Sequence, residues 1–320
     1  MKLLSVGVIG GLILSGGICF ATPNLGAQAN YSDNLSIKPV RSEVDYPAPV
    51  TDPETDRPIR GSLHPALMAS AALVIDQESG EVLFEKNANL THPIASITKL
   101  MTAIVVLDAG QPLDQLLSVT NADAELARPT QSRLKVGAKL SRAELLRLML
   151  MASENRAAAV IARAYPGGLT SFVKQMNETA VALGLVSTRF ADPTGLHVSN
   201  VSTARDLTKL VRHAYRYDAI RAYSTTPEYA VPLGRARKVV FHNTNRLTRS
   251  EDWVIGLSKT GFISASGQCL VLQAAVKGRR LVMVILDSWG KGGRIEDAVR
   301  LRSWLEQKNQ RWIVAGGVIL

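Results

Sequence analysis

Short continuous apolar runs bounded by turn residues stand near both ends of the folded part of this chain, and between them apolar residues recur at every third or fourth position. "AALVIDQESGEVLFEK" holds two apolar runs, Ala71 to Ile75 and Glu81 to Lys86, around a polar turn at Gly80, which predicts a hairpin. From Ser96 to about His213 the period becomes helical. Ile97, Leu100, Met101 and Ile104 share one face of a helix that Gly110 ends. Ser141 to Glu144 is a capping box opening "LLRLMLMA", "TSFVKQMNETAVALG" is amphipathic up to Gly184, and "STARDLTKLVRHAYRY" is a further capped helix. Strands return at Gly256 to Phe262, in "GQCLVLQAAVKG" and in "RRLVMVILD", the last two joined at Lys277-Gly278, and "RIEDAVRLRSWLEQ" closes as a helix. The economical solution is an α/β (α+β) fold: one antiparallel sheet from both chain ends, with a helical region inserted between them.

The flanks read differently. Lys2 precedes an uncharged apolar stretch, Leu3 to Ala21, which predicts a secretory signal over residues 1–29, cut after Ala21 or after Ala27-Gln28-Ala29. The stretch is also long enough for an uncleaved anchor. Cys19 follows a bulky Ile18, where lipoprotein signals want a small residue. Residues 30–61 are polar and proline-rich with no period, an extended linker. The folded domain then spans 62–308, and 309–320 form a tail too short for a further domain or an amphipathic anchor. After export only Cys269 remains, so no internal disulfide is expected. The net charge of +10 lacks the dense lysine–arginine cluster that nucleic acid requires. His64, His92, His197, His213 and His242 show no metal-binding spacing, and no glycine-rich phosphate loop is present. We therefore expect no metal and no other cofactor.

One helix carries chemistry. Ser96 and Lys99 lie one turn apart at the start of an apolar run, where alanine and leucine would pack better. A serine hydroxyl is a poor nucleophile until a base takes its proton. A lysine whose pKa is lowered by burial or by a second cation can be that base. The helix start adds backbone N–H groups and a positive field for a developing oxyanion. Spacing alone decides little: Ser171 to Lys174 repeats it on an ordinary amphipathic helix. Two further elements follow in order. Ser153-Glu154-Asn155 falls where one helix gives way to another, and Lys259-Thr260-Gly261 falls in a strand. Ser32-Asp33-Asn34 repeats the second element, but inside the linker.

This ordered triplet matches the signature of the serine penicillin-binding proteins and active-site serine β-lactamases. With Pro93 to Ala103, Met151 to Ala159, Tyr165 to Gly168, Pro193 to Leu196 and Val201 to Leu210, the chain resembles the low-molecular-mass D-alanyl-D-alanine peptidases, family S11. The likeness is greatest to their endopeptidase branch, the penicillin-binding protein 7 type. It covers about Ala69 to Leu305, and departs at Gln268, where that branch carries a basic residue.

The resemblance implies a β-lactamase/D,D-peptidase-like fold and a periplasmic enzyme that acts on peptidoglycan stem peptides and cross-bridges, with β-lactams as covalent inhibitors. Other cell-wall enzymes are conceivable partners. It also implies roles. Ser96 attacks a D-alanyl carbonyl, Lys99 accepts its proton, and Ser153 relays a proton to the leaving amine. Asn155 positions lysine and substrate. Lys259 adds positive charge that holds Lys99 neutral, and Thr260, beside Gly261, bonds the substrate carboxylate. The N–H groups of Ser96 and Phe262 form the oxyanion hole. Arg294 matches a carboxylate-binding arginine of related carboxypeptidases, or is a surface arginine. Three alternatives stand beside an endopeptidase. One is a carboxypeptidase. Another is a β-lactamase, disfavoured because "STRFADPTGLHVSN" lacks a glutamate to activate water. The third is an inactive wall-binding scaffold.

Overall fold

The computed structural model describes residues 64–127, 132–232, 238–290 and 292–315. The chain opens with β1 (Ala69–Asp76) and β2 (Val82–Lys86), followed by a short β3 (His92–Pro93). A single 3₁₀ turn, Ala95–Thr98, leads into α1 (Lys99–Asp108). The helical region continues through β4 (Leu116–Ser118), α2 (Asn121–Leu126), β5 (Lys139–Ser141), α3 (Arg142–Met151), α4 (Asn155–Arg163), α5 (Gly168–Ala182), β6 (Val201–Ser202), α6 (Ala204–Ala214) and α7 (Asp218–Thr225). A hairpin of β7 (Glu228–Pro232) and β8 (Lys238–His242) precedes β9 (Val254–Ile263), β10 (Gly267–Val276), β11 (Arg279–Ser288) and α8 (Gly293–Ala315).

The main sheet has the order β2-β1-β11-β10-β9, antiparallel throughout. Both chain ends build it, as the change of period predicts. An antiparallel sheet often leaves one face to water, giving strict apolar–polar alternation. Here β10 and β11 are nearly continuous apolar runs because both faces are covered. Leu73, Val271, Val282 and Val284 face Ile97, Leu100 and Ile104 of the helical region, with Leu207 and Val211 of α6. Val74, Leu270, Leu272 and Met283 face Ile295, Ala298, Leu301 and Leu305 of α8. Each of these large side chains contributes about 1.5–3 kcal/mol on burial.

Local signals explain the helix starts. Ser141 accepts from the Glu144 N–H while Glu144 accepts from the Ser141 N–H, the predicted capping box. Thr203 caps α6 through the Asp206 N–H. The helix after Ser96 ends at Asp108, and Gly110 turns the chain at φ 61°. The closing helix runs on to Ala315, past the end of the sequence-read domain at 308. The signal and linker expected over residues 1–29 and 30–61, with the Ser32–Asn34 repeat, lie outside the described residues. No helix among the described residues is long and apolar enough to cross a membrane.

Candidate active site

The site lies between the α1 start, the α3–α4 junction and β9, the edge strand of the sheet. Ser96 sits in the 3₁₀ turn, one residue after Ala95, whose φ of 45° is left-handed and unfavourable for a residue with a Cβ. Two close approaches hold this turn. A Cβ on Gly195 would stand 2.0 Å from the Ala95 carbonyl oxygen, and one on Gly261 would stand 2.8 Å from that of Ile94. Only glycine fits at either position. Gly261 thus brings β9 directly against the Ser96 backbone.

Lys99 is fully buried. Its Nζ lies 2.8 Å from Ser96 Oγ, 2.7 Å from Asn155 Oδ1 and 2.5 Å from the Thr194 carbonyl oxygen. Burial pushes its pKa down to about 7, against the opposing pull of the Asp192 and Glu154 carboxylates. A neutral amine has two hydrogens and one lone pair. Asn155 Oδ1 and the Thr194 carbonyl can only accept, so they take both hydrogens. The lone pair is left for the Ser96 hydroxyl proton.

Ser153 bridges α3 and α4 in a left-handed conformation, φ 59°. Its Oγ accepts from Lys259 Nζ at 3.0 Å, and Lys259 also donates to the Thr260 carbonyl at 2.8 Å. Lys259 is buried too, and its pKa is lowered by burial first, then by the charges of Lys99 and Arg294. Lys99 owes its lowering to its own burial, and the charge on Lys259 expected to keep it neutral is not among the causes. Thr260 Oγ1 lies 2.6 Å from Thr244 Oγ1, and the Thr244 N–H donates to the Met151 carbonyl at 2.9 Å. Arg294, in the first turn of α8, is half-buried and donates to the Gly261 carbonyl at 2.7 Å. It is therefore tied to the strand and is not a free surface arginine.

Phe262 is 62 % exposed at the rim, paired in register with Gln268, whose amide donates to the Gly290 carbonyl. The structure thus brings Ser96, Lys99, Ser153, Asn155, Lys259, Thr260, Gly261, Phe262 and Arg294 into one region. Ser171 and Lys174 lie elsewhere on α5, where Lys174 pairs with exposed Glu178. His242 pairs with Glu228 on the β7–β8 hairpin.

Some members were invisible in sequence. Thr194 and Asp192 reach Lys99 from about a hundred positions away, and Thr244 reaches Thr260 across a loop. The Asp-Pro-Thr-Gly run of Asp192 to Gly195 carries turn chemistry, and that was the available signal. Among the described residues no group of histidine, cysteine, aspartate and glutamate side chains could hold a metal ion.

Comparison with known proteins decides the family. The profile of the D-alanyl-D-alanine carboxypeptidases, peptidase family S11, matches residues 60–290. The chain belongs to the S11 peptidase family. It is 47 % identical over 245 residues to a D-alanyl-D-alanine endopeptidase of Pseudomonas aeruginosa, covering 76 % of this chain and 79 % of that one. It is 43 % identical over 243 residues to a D-alanyl-D-alanine endopeptidase of Escherichia coli, covering 76 % and 78 %. The crystal structure of a D-alanyl-D-alanine carboxypeptidase from Mycobacterium tuberculosis superposes with a TM-score of 0.69 at 30 % identity, over 77 % of this chain and 94 % of that one. This S11 peptidase has the D,D-peptidase fold and is a serine hydrolase.

Proposed function

We propose that this S11 peptidase cleaves D-alanyl–meso-diaminopimelyl cross-bridges of peptidoglycan through an acyl-enzyme on Ser96, and that it works in the periplasm after loss of a signal over residues 1–29. The observation that carries the mechanism is the Lys99 amine, whose two hydrogens are taken by carbonyl oxygens and whose remaining partner is Ser96 Oγ.

Each step then balances. Ser96 Oγ attacks the D-alanyl carbonyl carbon, and its proton passes to Lys99 Nζ. The oxyanion gathers hydrogen bonds from the Ser96 and Phe262 N–H groups. Collapse breaks the C–N bond, and the proton held by Lys99 passes by way of Ser153 Oγ, which Lys259 touches, to the leaving amine, so that Lys99 is neutral again. Water then attacks the ester carbonyl and gives a proton to Lys99; the acyl C–Oγ bond breaks, and Lys99 returns that proton to Ser96 Oγ. Asn155 fixes Lys99. Lys259, Arg294 and the Thr260 hydroxyl make the Gly261 end of the cleft positive and hydrogen-bonding, suited to a carboxylate.

We expect release of the acyl group to be slow, because the two described carboxylates beside Lys99 are both held in other bonds. Glu154, between the two motif residues, is turned to the Ser132 hydroxyl at 2.6 Å and to the Arg156 N–H. Asp192, in the segment where a β-lactamase would hold its glutamate, has both oxygens engaged. A fluorescent penicillin tests this reading. Stable labelling that maps to the Ser96 peptide supports the peptidase. Fast turnover would make it a β-lactamase, and no labelling a scaffold.

A carboxypeptidase acting on free pentapeptide is the second reading, favoured by the description of the family itself. Both reactions form the same acyl-enzyme and differ only in the leaving group. The endopeptidase reading rests on the relatives of highest identity above.

A further inference from the structure

Asp192 is buried beside the site, and among the described residues no cation bonds to it directly. Every group around its carboxylate can donate. Oδ1 accepts from the Thr194 N–H at 2.5 Å, the Thr194 hydroxyl at 2.6 Å and the Gly195 N–H at 2.8 Å. Oδ2 accepts from the His197 N–H at 2.7 Å and Asn200 Nδ2 at 3.0 Å. Five donors and no competing acceptor suit an ionised carboxylate; a proton on either oxygen would face an N–H.

The turn that these bonds shape grips the nucleophile segment along its length. The Thr194 carbonyl meets Lys99 Nζ and, at 3.5 Å, Ser96 Oγ. The Pro193 carbonyl accepts from Thr102 Oγ1 at 2.7 Å, almost one helical turn beyond Lys99. Gly195 lies against Ala95, and the Asn200 carbonyl accepts from the Ile94 N–H at 2.9 Å. Asn200 Oδ1 in turn holds the Ala191 and Asp192 N–H groups.

We propose that Asp192 is a positioning residue: its carboxylate clamps the Asp192–Asn200 turn so that the Thr194 carbonyl holds Lys99 Nζ against Ser96, and it places a fixed negative charge behind that lysine. The proposal rests on the reading of Lys99 as the base for Ser96. The clamp accounts for a turn that leaves one carbonyl, Thr194, pointing at an amine while five nearby donors are satisfied elsewhere. The charge has a separate consequence. Three influences meet at Lys99: burial favours its neutral form, while Asp192 and Glu154 favour its charged form. Removing the Asp192 charge shifts that balance toward the neutral amine. A base that is free at lower pH is also a weaker base, so its rate at high pH falls.

The test is the second-order rate of acylation of the full chain by a fluorescent penicillin, followed across pH. In the wild type the rate should rise through an acid limb near pH 7, where Lys99 is expected to lose its proton. Asp192→Asn removes the charge and turns an amide N–H toward His197 and Asn200. Its plateau should fall, and its acid limb should move down by roughly one pH unit. The variant-to-wild-type ratio then rises about tenfold from about pH 8 to about pH 5. Thr194→Val keeps the charge and removes one clamp bond, so its plateau should fall several-fold with the limb in place. An unmoved limb in Asp192→Asn, or an unchanged plateau in Thr194→Val, would overturn the proposal. A wild-type profile without an acid limb would instead overturn the reading of Lys99 as base.

Discussion

Lys99 Nζ lies 2.8 Å from Ser96 Oγ in a position with no exposure to solvent. Two side chains one turn apart on a helix start normally share water; here the turn carrying Thr194 and the helix carrying Asn155 replace it. Burial brings the pKa of a lysine so placed down to about 7, so a large share of it is free amine near neutral pH, and an amine can take a proton.

Ser96→Ala should abolish penicillin acylation and leave the fold unchanged, because it removes one hydroxyl from a turn held by backbone contacts at Gly195 and Gly261. Intact mass after incubation with penicillin, alongside a thermal melt, checks both halves. A covalent adduct on the variant would move the nucleophile elsewhere.

Lys99→Arg keeps a basic side chain of similar reach and should still lose about 10²–10⁴-fold in acylation rate, the usual contribution of a general base. Guanidinium does not release its proton in this range and is too large for a fully buried site. Stopped-flow acylation is the check, and near-normal rates in the arginine variant would exclude lysine as the base.

The buried lysine costs stability, and the sign follows from its pKa. The unfolded chain holds the Lys99 proton up to its ordinary value of 10.5, and the folded chain holds it only to about 7. Between those values the unfolded state binds more protons, so this residue's penalty shrinks as pH rises. Lys99→Met should therefore stabilise the inactive protein by roughly 1–3 kcal/mol near neutrality, less the cost of two unpaired carbonyls. The gain should fade as pH climbs from about 7 toward 10.5. Lys259, lowered in part by the Lys99 charge, acts in the same direction. Denaturant unfolding of both proteins at several pH values gives the difference, and a gain that grew with pH would contradict the assignment.

Gly195→Ala should be more damaging than a single methyl suggests. The new Cβ would meet the Ala95 carbonyl oxygen at 2.0 Å, at a φ of 83° that alanine rarely adopts. Neither partner is a flexible side chain, so the Ser96 turn must shift, at a cost of roughly 1–3 kcal/mol in strain alone. We expect both a lower melting temperature and loss of acylation. Unchanged acylation would show that the turn tolerates displacement.

The chemistry was more legible than its surroundings. Ser96 and Lys99 stand out because polar groups interrupt an apolar helix, and the sheet was readable because β10 and β11 are long apolar runs bounded by Gly267 and Gly278. Their continuity hid the second covering layer: Leu270, Leu272 and Met283 meet α8, a contact no local period announces. α7 carries no local signal in the sequence: it is eight residues long and has no side-chain cap at Tyr217. The β7–β8 hairpin is equally silent in the sequence, because its strands are short and mostly exposed. Asp192, Thr194 and Thr244 were invisible as site members because their relation to Lys99 and Thr260 is made by folding, not by spacing.

Reaction type is settled most directly by comparing kcat/KM for a purified cross-linked dimer muropeptide and for monomeric pentapeptide, with products identified by mass. Both substrates acylate Ser96 at the same D-alanyl carbonyl, so any difference reports the room and contacts offered to the leaving group. We expect the dimer to be cut at the D-alanyl–meso-diaminopimelyl bond with the higher kcat/KM. A clear preference for the pentapeptide, with release of free D-alanine, would contradict the endopeptidase assignment.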